Sequence, residues 1–302
     1  MNYAIETREL SFSFRNGFPV VDRLSLQVPM GSIYGFLGPN GAGKTTTIRM
    51  LTGMLLSDRD NIFINGASLQ KSIPQVFEKI GALIENPSLY LHLTAIENLR
   101  MITTLRGLPK ARMDAVLEIV GLTGAARRKV KEFSLGMKQR LGIAMALLPD
   151  PSLLILDEPA NGLDPSGIIE IRELLKRLNS EGKTIFVSSH LLAEIEKTCT
   201  HIGVIHKGSL RYQDTLEAMQ QTASASGEVV FRIPAAAERL VNLQGHHPDC
   251  RQVGTDEVLF PFAKREDVAL LNQQLVGAGV PVEGIQVRGG LEDWFMRLTQ
   301  KN

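Results

Sequence analysis

Four separated groups of residues carry the types and spacing that chemistry requires. Gly38-Pro39-Asn40-Gly41-Ala42-Gly43-Lys44-Thr45-Thr46 joins three glycines to a lysine and two hydroxyls. Glycines let backbone N–H groups approach phosphate oxygens, Lys44 reaches the outer phosphates, and the Thr45 hydroxyl suits Mg²⁺. Asp157 and Glu158 set two carboxylates side by side. Asp157 is suited to orient a Mg²⁺ ion, directly or through water, and Glu158 to accept a hydrogen bond from an attacking water and help take its proton. His190 follows Ser188-Ser189 and can donate to a terminal phosphate or to that water, sensing whether ATP is bound. Ser134-Leu135-Gly136-Met137-Lys138-Gln139 reads as a helix start, with a capping serine and backbone laid open at Gly136, which together favour an anion. The residues alone leave open whether that anion is held by the same chain. The combined chemistry is phosphoryl transfer by positioning and electrostatic stabilisation.

Each group needs an element to aim it. The phosphate-type loop follows the apolar run Ile33 to Leu37 and precedes an expected helix from Lys44 to Met54. Leu153 to Leu156 is wholly apolar, as in a parallel strand covered on both faces, and leads directly into Asp157. Thr184 to Val187 reads as another strand, ending at the serines before His190. Helical runs at Ile168 to Leu178 and Leu191 to Cys199 alternate with these and with a strand at Ile202 to Ile205. The alternation predicts an open α/β sheet, and ligands of such sheets sit at the carboxyl ends of the strands. All three strand-following groups therefore belong at one edge.

The remaining chain reads as appendages to that sheet. Residues 1 to 30 alternate in two short segments around a turn at Asn16-Gly17, which predicts a hairpin-bearing antiparallel region. Phe12 and Phe14 share one side of it; either packs into a core, and Phe14, beside the turn, is also placed to stack on an adenine. Asn61 to Ile64 and Ile80 to Ile84 read as strands, the second stopped by Glu85-Asn86-Pro87. Between about 88 and 148 the apolar period becomes helical, with Ile96, Leu99, Ile102 and Leu105 on one stripe, so a helical insertion is expected. Small residues over 221 to 227 predict a linker. Beyond it, 228 to 302 reads as β-α-β-β-α-β, a split βαβ (ferredoxin-like) domain, with a final helix bearing Trp294 and Phe295.

The 302 residues carry a formal charge of +1, with 44% hydrophobic and 22% charged side chains, which fits a folded chain and gives no global field for nucleic acid. No apolar run reaches bilayer length, and the start lacks the organisation of a secretory signal, so a cytosolic chain reaching a membrane through a partner is expected. Cys199 and Cys250 lie far apart with no metal-ligand spacing, which predicts neither disulfide nor zinc site.

Taken together, the motifs resemble those of ATP-binding-cassette transporter ATPases over roughly residues 3 to 219, and most of all the branch for bacitracin, lantibiotic and multidrug export or self-immunity. The resemblance implies a RecA-like P-loop core with an antiparallel β subdomain, a helical insertion and a small α+β C-terminal domain. It makes Gly38 to Thr45 the phosphate loop, Glu158 the catalytic glutamate, Ser134 to Gln139 the family signature, Ala160 to Asp164 the loop touching the other subunit, and His190 the switch histidine. Phe14 matches the adenine-stacking aromatic. It further implies ATP and Mg²⁺ as cofactors, two subunits packed head to tail with Ser134 and Gly136 of one against the nucleotide of the other, and a permease docked near Glu85 and the helical insertion. The chain is then a peripheral subunit on the inner face of the cell membrane. Where most members have a glutamine, this chain has Glu85, a metal-side residue that also marks the bacitracin-like branch. A non-transport ATPase acting on the ribosome or nucleic acid, and a nucleotide-gated module without turnover, are the competing classes. The first usually has two fused nucleotide domains or a long coiled coil, and the second is disfavoured by Glu158.

Overall fold

The computed structural model describes residues 2–14, 17–57, 59–224, 227–288 and 291–300. Asn16, Ala225, Ser226 and Gly290 lie outside the described residues. The chain divides between Asp214 and Thr215 into two compact units.

The first unit begins with four short strands, β1 (Tyr3–Thr7), β2 (Leu10–Ser13), β3 (Pro19–Leu24) and β4 (Gln27–Pro29). The two alternating segments of the sequence are thus each broken once. At Glu9 the backbone turns into the left-handed region, at φ 48. Next come β5 (Ile33–Leu37), α1 (Lys44–Leu51), β6 (Ile62–Ile64), β7 (Ala67–Ser68) and β8 (Ile80–Leu83). The helical insertion follows as α2 (Ala95–Leu105), α3 (Ala111–Ile119) and α4 (Leu135–Leu147). The chain then alternates through β9 (Leu153–Asp157), α5 (Pro165–Ser180), β10 (Thr184–Ser189), α6 (Leu192–Thr198) and β11 (His201–His206), and closes with β12 (Ser209–Thr215). Strand β12 has no apolar run and was not legible in the sequence.

Six strands form the central sheet in the order β12-β11-β5-β10-β9-β8, and the pairs β11–β5, β5–β10, β10–β9 and β9–β8 are parallel. Every residue of β5 and β9 is buried, which explains their unbroken apolar sequences. Phe186 of β10 pairs in register with Tyr34 of β5 and its ring lies 5.7 Å from that of Tyr34 and 5.3 Å from that of Phe36. The Tyr34 hydroxyl donates to Gln213 Oε1 at 2.9 Å, so the one polar atom of this aromatic layer is satisfied. A second sheet, β4-β1-β6-β7, and the β2–β3 pair add the antiparallel region, and Ile5, Leu10, Val21 and Ile64 join the same core as Phe36 and Phe186.

In the insertion, α2 starts at a reciprocal cap. Thr94 N donates to Glu97 Oε2 at 2.8 Å and Thr94 Oγ1 accepts from Glu97 N at 3.3 Å. The Thr94 N–H, together with the Thr94 hydroxyl that donates to the same Oε2 at 2.7 Å, holds the Glu97 carboxyl below its ordinary range. The buried face of α2 is Ala95, Asn98, Leu99 and Thr103. Of the expected apolar stripe only Leu99 is in it; Leu105 is 86% exposed.

The second unit holds α7 (Leu216–Ser224), β13 (Gly227–Arg232), α8 (Ala236–His246), β14 (Arg251–Gly254), β15 (Glu257–Phe262), α9 (Arg265–Gly277), β16 (Gly284–Arg288) and α10 (Leu291–Gln300). Residues 221–224, expected in a linker, are the end of α7. The strand order is β14-β15-β13-β16 with all neighbours antiparallel. Each crossover helix therefore joins two strands separated by a third. Its own core gathers Val229, Phe231, Val258, Phe260 and Leu275.

Replacing Phe186 by alanine removes the ring at the centre of the aromatic layer and should cost about 3–5 kcal/mol, read as a lowered urea midpoint with an unchanged slope. Cys199 and Cys250 are buried, and burial pushes both thiols above the ordinary range. The folded chain should leave both unmodified by a disulfide reagent at neutral pH, with both reacting on denaturation.

Candidate active site

The parallel register brings three strand ends to one level. Ser189 of β10 pairs with Leu37 of β5, and Ser188 pairs with Asp157 of β9. Beyond Leu37 the chain turns, and Gly38 N donates to Ser189 O at 3.3 Å. The loop then threads between backbone carbonyls. A Cβ at Gly38 would stand 2.5 Å from Ile205 O, and one at Gly43, where φ is 106, would stand 2.6 Å from Val20 O. No side chain fits either place. Asn40 and Gly41 are exposed at the tip, Pro39 and Thr46 are half-buried, and Ala42 is buried.

Lys44 opens α1 and is 6% exposed. Its Nζ donates to Gly38 O at 2.7 Å and Pro39 O at 3.3 Å, and it lies 3.3 Å from Glu158 Oε1. The other oxygen of Glu158, Oε2, is 2.7 Å from His190 Nδ1. Glu158 thus bridges the lysine and the histidine. Its backbone is left-handed at φ 47, and its N–H donates to Ser188 Oγ at 3.0 Å. Ser188 Oγ in turn donates to Asp157 Oδ1, while Thr45 Oγ1 donates to Asp157 Oδ2 at 2.8 Å. Ser188, fully buried, is the residue that sequence reasoning passed over. Its signal was a polar side chain ending an otherwise apolar strand, in register with Asp157.

Thr45, Glu85, Asn86, Gln139, Asp157, Glu158 and Asn161 line one polar cavity of about 300 Å³. Thr45 and Asp157 offer hard oxygen donors, the type Mg²⁺ takes, and Lys44 an ammonium for phosphate. Gln139 Oε1, buried in this wall, has no hydrogen-bond partner among the described residues. The residues present therefore fit a Mg²⁺–triphosphate. Glu85 borders the cavity, but its carboxylate pairs with the Arg49 guanidinium, a contact that nothing in the spacing announced.

The signature residues separate. Ser134 is exposed and caps α4, accepting from Met137 N at 3.3 Å; neither it nor Gly136 lines the cavity. Gln139 does line it, because five residues along a helix turn a side chain by about 140°. Leu163 lies beside Gly136 and Gly162 beside Leu135, so the 160–164 loop adjoins the start of α4. Phe14 is 51% exposed, with its ring edge-on to Phe12 at 5.0 Å. A larger, mostly apolar groove of about 600 Å³ runs elsewhere on this unit, lined in part by Met54, Phe77, Ile84, Pro87, Ile102 and Leu105. Leu105, the most exposed apolar side chain of α2, lines it. Among the described residues, no helix is long and apolar enough to cross a membrane.

The pattern of the ABC transporter family matches residues 21–161. The chain is 38% identical over 302 residues to the ABC transporter ATP-binding protein YhcH of Bacillus subtilis, spanning 99% of this chain and 97% of that one. It is 42% identical over 283 residues to the bacitracin transport ATP-binding protein BcrA of Bacillus licheniformis, spanning 92% of each. Among solved structures, an ATP-binding subunit of an ABC transporter superposes with a TM-score of 0.64 at 31% identity, over 72% of this chain and 92% of that one. CbiO1 of Clostridium perfringens, part of an ABC transporter complex, gives 0.66 at 26% identity, over 71% of this chain and 89% of that one. Likeness along nearly the whole of relatives this similar, together with the lysine, carboxylate and histidine gathered at one sheet edge, shows that the chain belongs to the ABC transporter family, as an ATP-hydrolysing nucleotide-binding subunit coupled to a membrane permease.

Proposed function

We propose that the chain drives export of a peptide antibiotic, drug or related molecule through its permease and so confers resistance or self-immunity. The observation that carries this is the 42% identity with the bacitracin transport protein over 92% of both chains. Residues 1–220 form the nucleotide-binding body on this reading, and 228–302 an accessory domain. The chain works at the inner face of the membrane, held there by the permease.

ATP with Mg²⁺ is the bound species of this reading. Within the loop 38–46, backbone N–H groups beyond Pro39 and the Lys44 ammonium hold the phosphates, Thr45 and Asp157 hold the metal with Glu85 bordering it, and Phe14 offers a ring face to the adenine. The bound metal supplies charge neutralisation at the phosphate oxygens. Glu158 accepts a hydrogen bond from the attacking water and takes up its proton. His190, with Nδ1 directed at Glu158, has Nε2 left to donate to the terminal phosphate. Ser134 is exposed and Gly136 half-buried, both outside their own cavity, which supports a head-to-tail homodimer in which each chain completes the other's site. The apolar groove holding Leu105 and Met54 suits a short helix of the permease.

Glu158→Gln should retain nucleotide binding and lose turnover by about 100-fold or more, and unchanged turnover would refute the base assignment. His190→Ala should lower kcat with little change in nucleotide affinity; equal loss of both would remove its distinct role. Leu105→Asp should abolish co-purification with the permease and leave the ATPase activity of the isolated chain intact. Recovery of the chain with ribosomes instead of membranes would overturn the transport assignment.

A further inference from the structure

Gln139 was grouped by the resemblance with Ser134 and Gly136, residues that serve the opposite subunit. Its surroundings point elsewhere. The side chain is 3% exposed, and its Oε1 is one of the few buried polar atoms without a hydrogen-bond partner among the described residues. It lines the same cavity as Thr45, Asp157 and Glu158 of its own chain. An amide oxygen buried without a partner is costly, by an amount comparable to its full desolvation. A cavity of about 300 Å³ holds several waters, so a water inside it relieves that cost.

Chemistry narrows which water. The cavity wall presents the carboxylates of Glu85, Asp157 and Glu158. Asp157 already accepts from Thr45 and Ser188, Glu158 lies against Lys44 and His190, and Glu85 lies against Arg49. Among the described residues, Gln139 Oε1 is thus the one fully buried acceptor of this wall with no partner. A water bound to a divalent cation donates both its protons, and a neutral amide oxygen accepts one without adding a further negative charge.

Resting on the nucleotide-site reading above, we propose that Gln139 acts in its own chain's site as a positioning residue, its Oε1 accepting a hydrogen bond from a metal-bound water beside Thr45 and Asp157. Helix α4 then serves two sites. Its first turn, at Ser134, faces another subunit, and its second turn fixes water in its own.

The test uses the full chain with Mn²⁺ as the metal probe and a non-hydrolysable ATP analogue, at a dilution where sedimentation shows monomers. Gln139→Leu keeps the volume and removes the acceptor; it should weaken Mn²⁺ binding to the nucleotide complex about tenfold and leave metal-free nucleotide affinity unchanged. The Mn²⁺ magnetic-resonance signal should also report one ordered water fewer. Gln139→Glu restores an acceptor at the same reach and should recover most of the Mn²⁺ affinity. Unaltered Mn²⁺ affinity in Gln139→Leu, or a defect that Gln139→Glu shares in full, would overturn the proposal, as would a defect found only in dimers. If Gln139→Leu fails to fold, Gln139→Met is the same comparison with a flexible chain. A wild-type chain that binds no nucleotide would instead overturn the site assignment itself.

Discussion

The hydroxyl of Ser188 holds the two acidic residues in their different tasks. It donates to Asp157 and accepts from the backbone N–H of Glu158, so one atom fixes an oxygen of the first carboxylate and the turn that carries the second. It can do so because β10 lies between β5 and β9 in parallel register, which brings Ser188 opposite Asp157 and Ser189 opposite Leu37. A slip of one residue in either pairing would turn these side chains to the other face of the sheet. Core packing protects the register: the Tyr34, Phe36 and Phe186 rings lock β5 to β10 in the layer beneath. Precision at the sheet edge is thus inherited from burial below it.

Much of this was legible in the residues, for a definite physical reason. Strands buried on both faces are built on apolar runs, so residues 33–37 and 153–156 announced themselves, and the chemistry begins at the next residue, Gly38 after β5 and Asp157 at the end of β9. The phosphate loop was legible because Gly38 and Gly43 answer to close backbone approach, which no other residue satisfies. Strand β12 was not, since its residues are half-buried or exposed and carry no pattern that separates strand from loop. The stripe Ile96, Leu99, Ile102 and Leu105 gave the helix correctly and said nothing of what covers it. Periodicity reports that a face is apolar, and here Leu99 enters the core while Ile102 and Leu105 line an open groove.

Long-range pairings were illegible for another reason. Arg49 and Glu85 are brought together by the return of the chain from α1 to the end of β8, and neither residue type demands the other. Gln139 illustrates the same limit within a motif. Proximity in sequence grouped it with Ser134, but helical geometry rotated it into the cavity lined by Thr45 and Asp157, which Ser134 does not line.

On the proposed nucleotide reading, the bridge from Lys44 through Glu158 to His190 sets an order of events. The lysine ammonium is already matched by a carboxylate of its own chain, 3.3 Å away. An arriving phosphate therefore enters by exchange, taking the lysine from the glutamate. Until that exchange the glutamate is committed to the lysine and ill disposed to act on water; afterwards its charge is free to do so. The arrangement is then an interlock: the nucleotide itself releases the group that will consume it, and water standing in the pocket before it arrives meets a base that is still engaged.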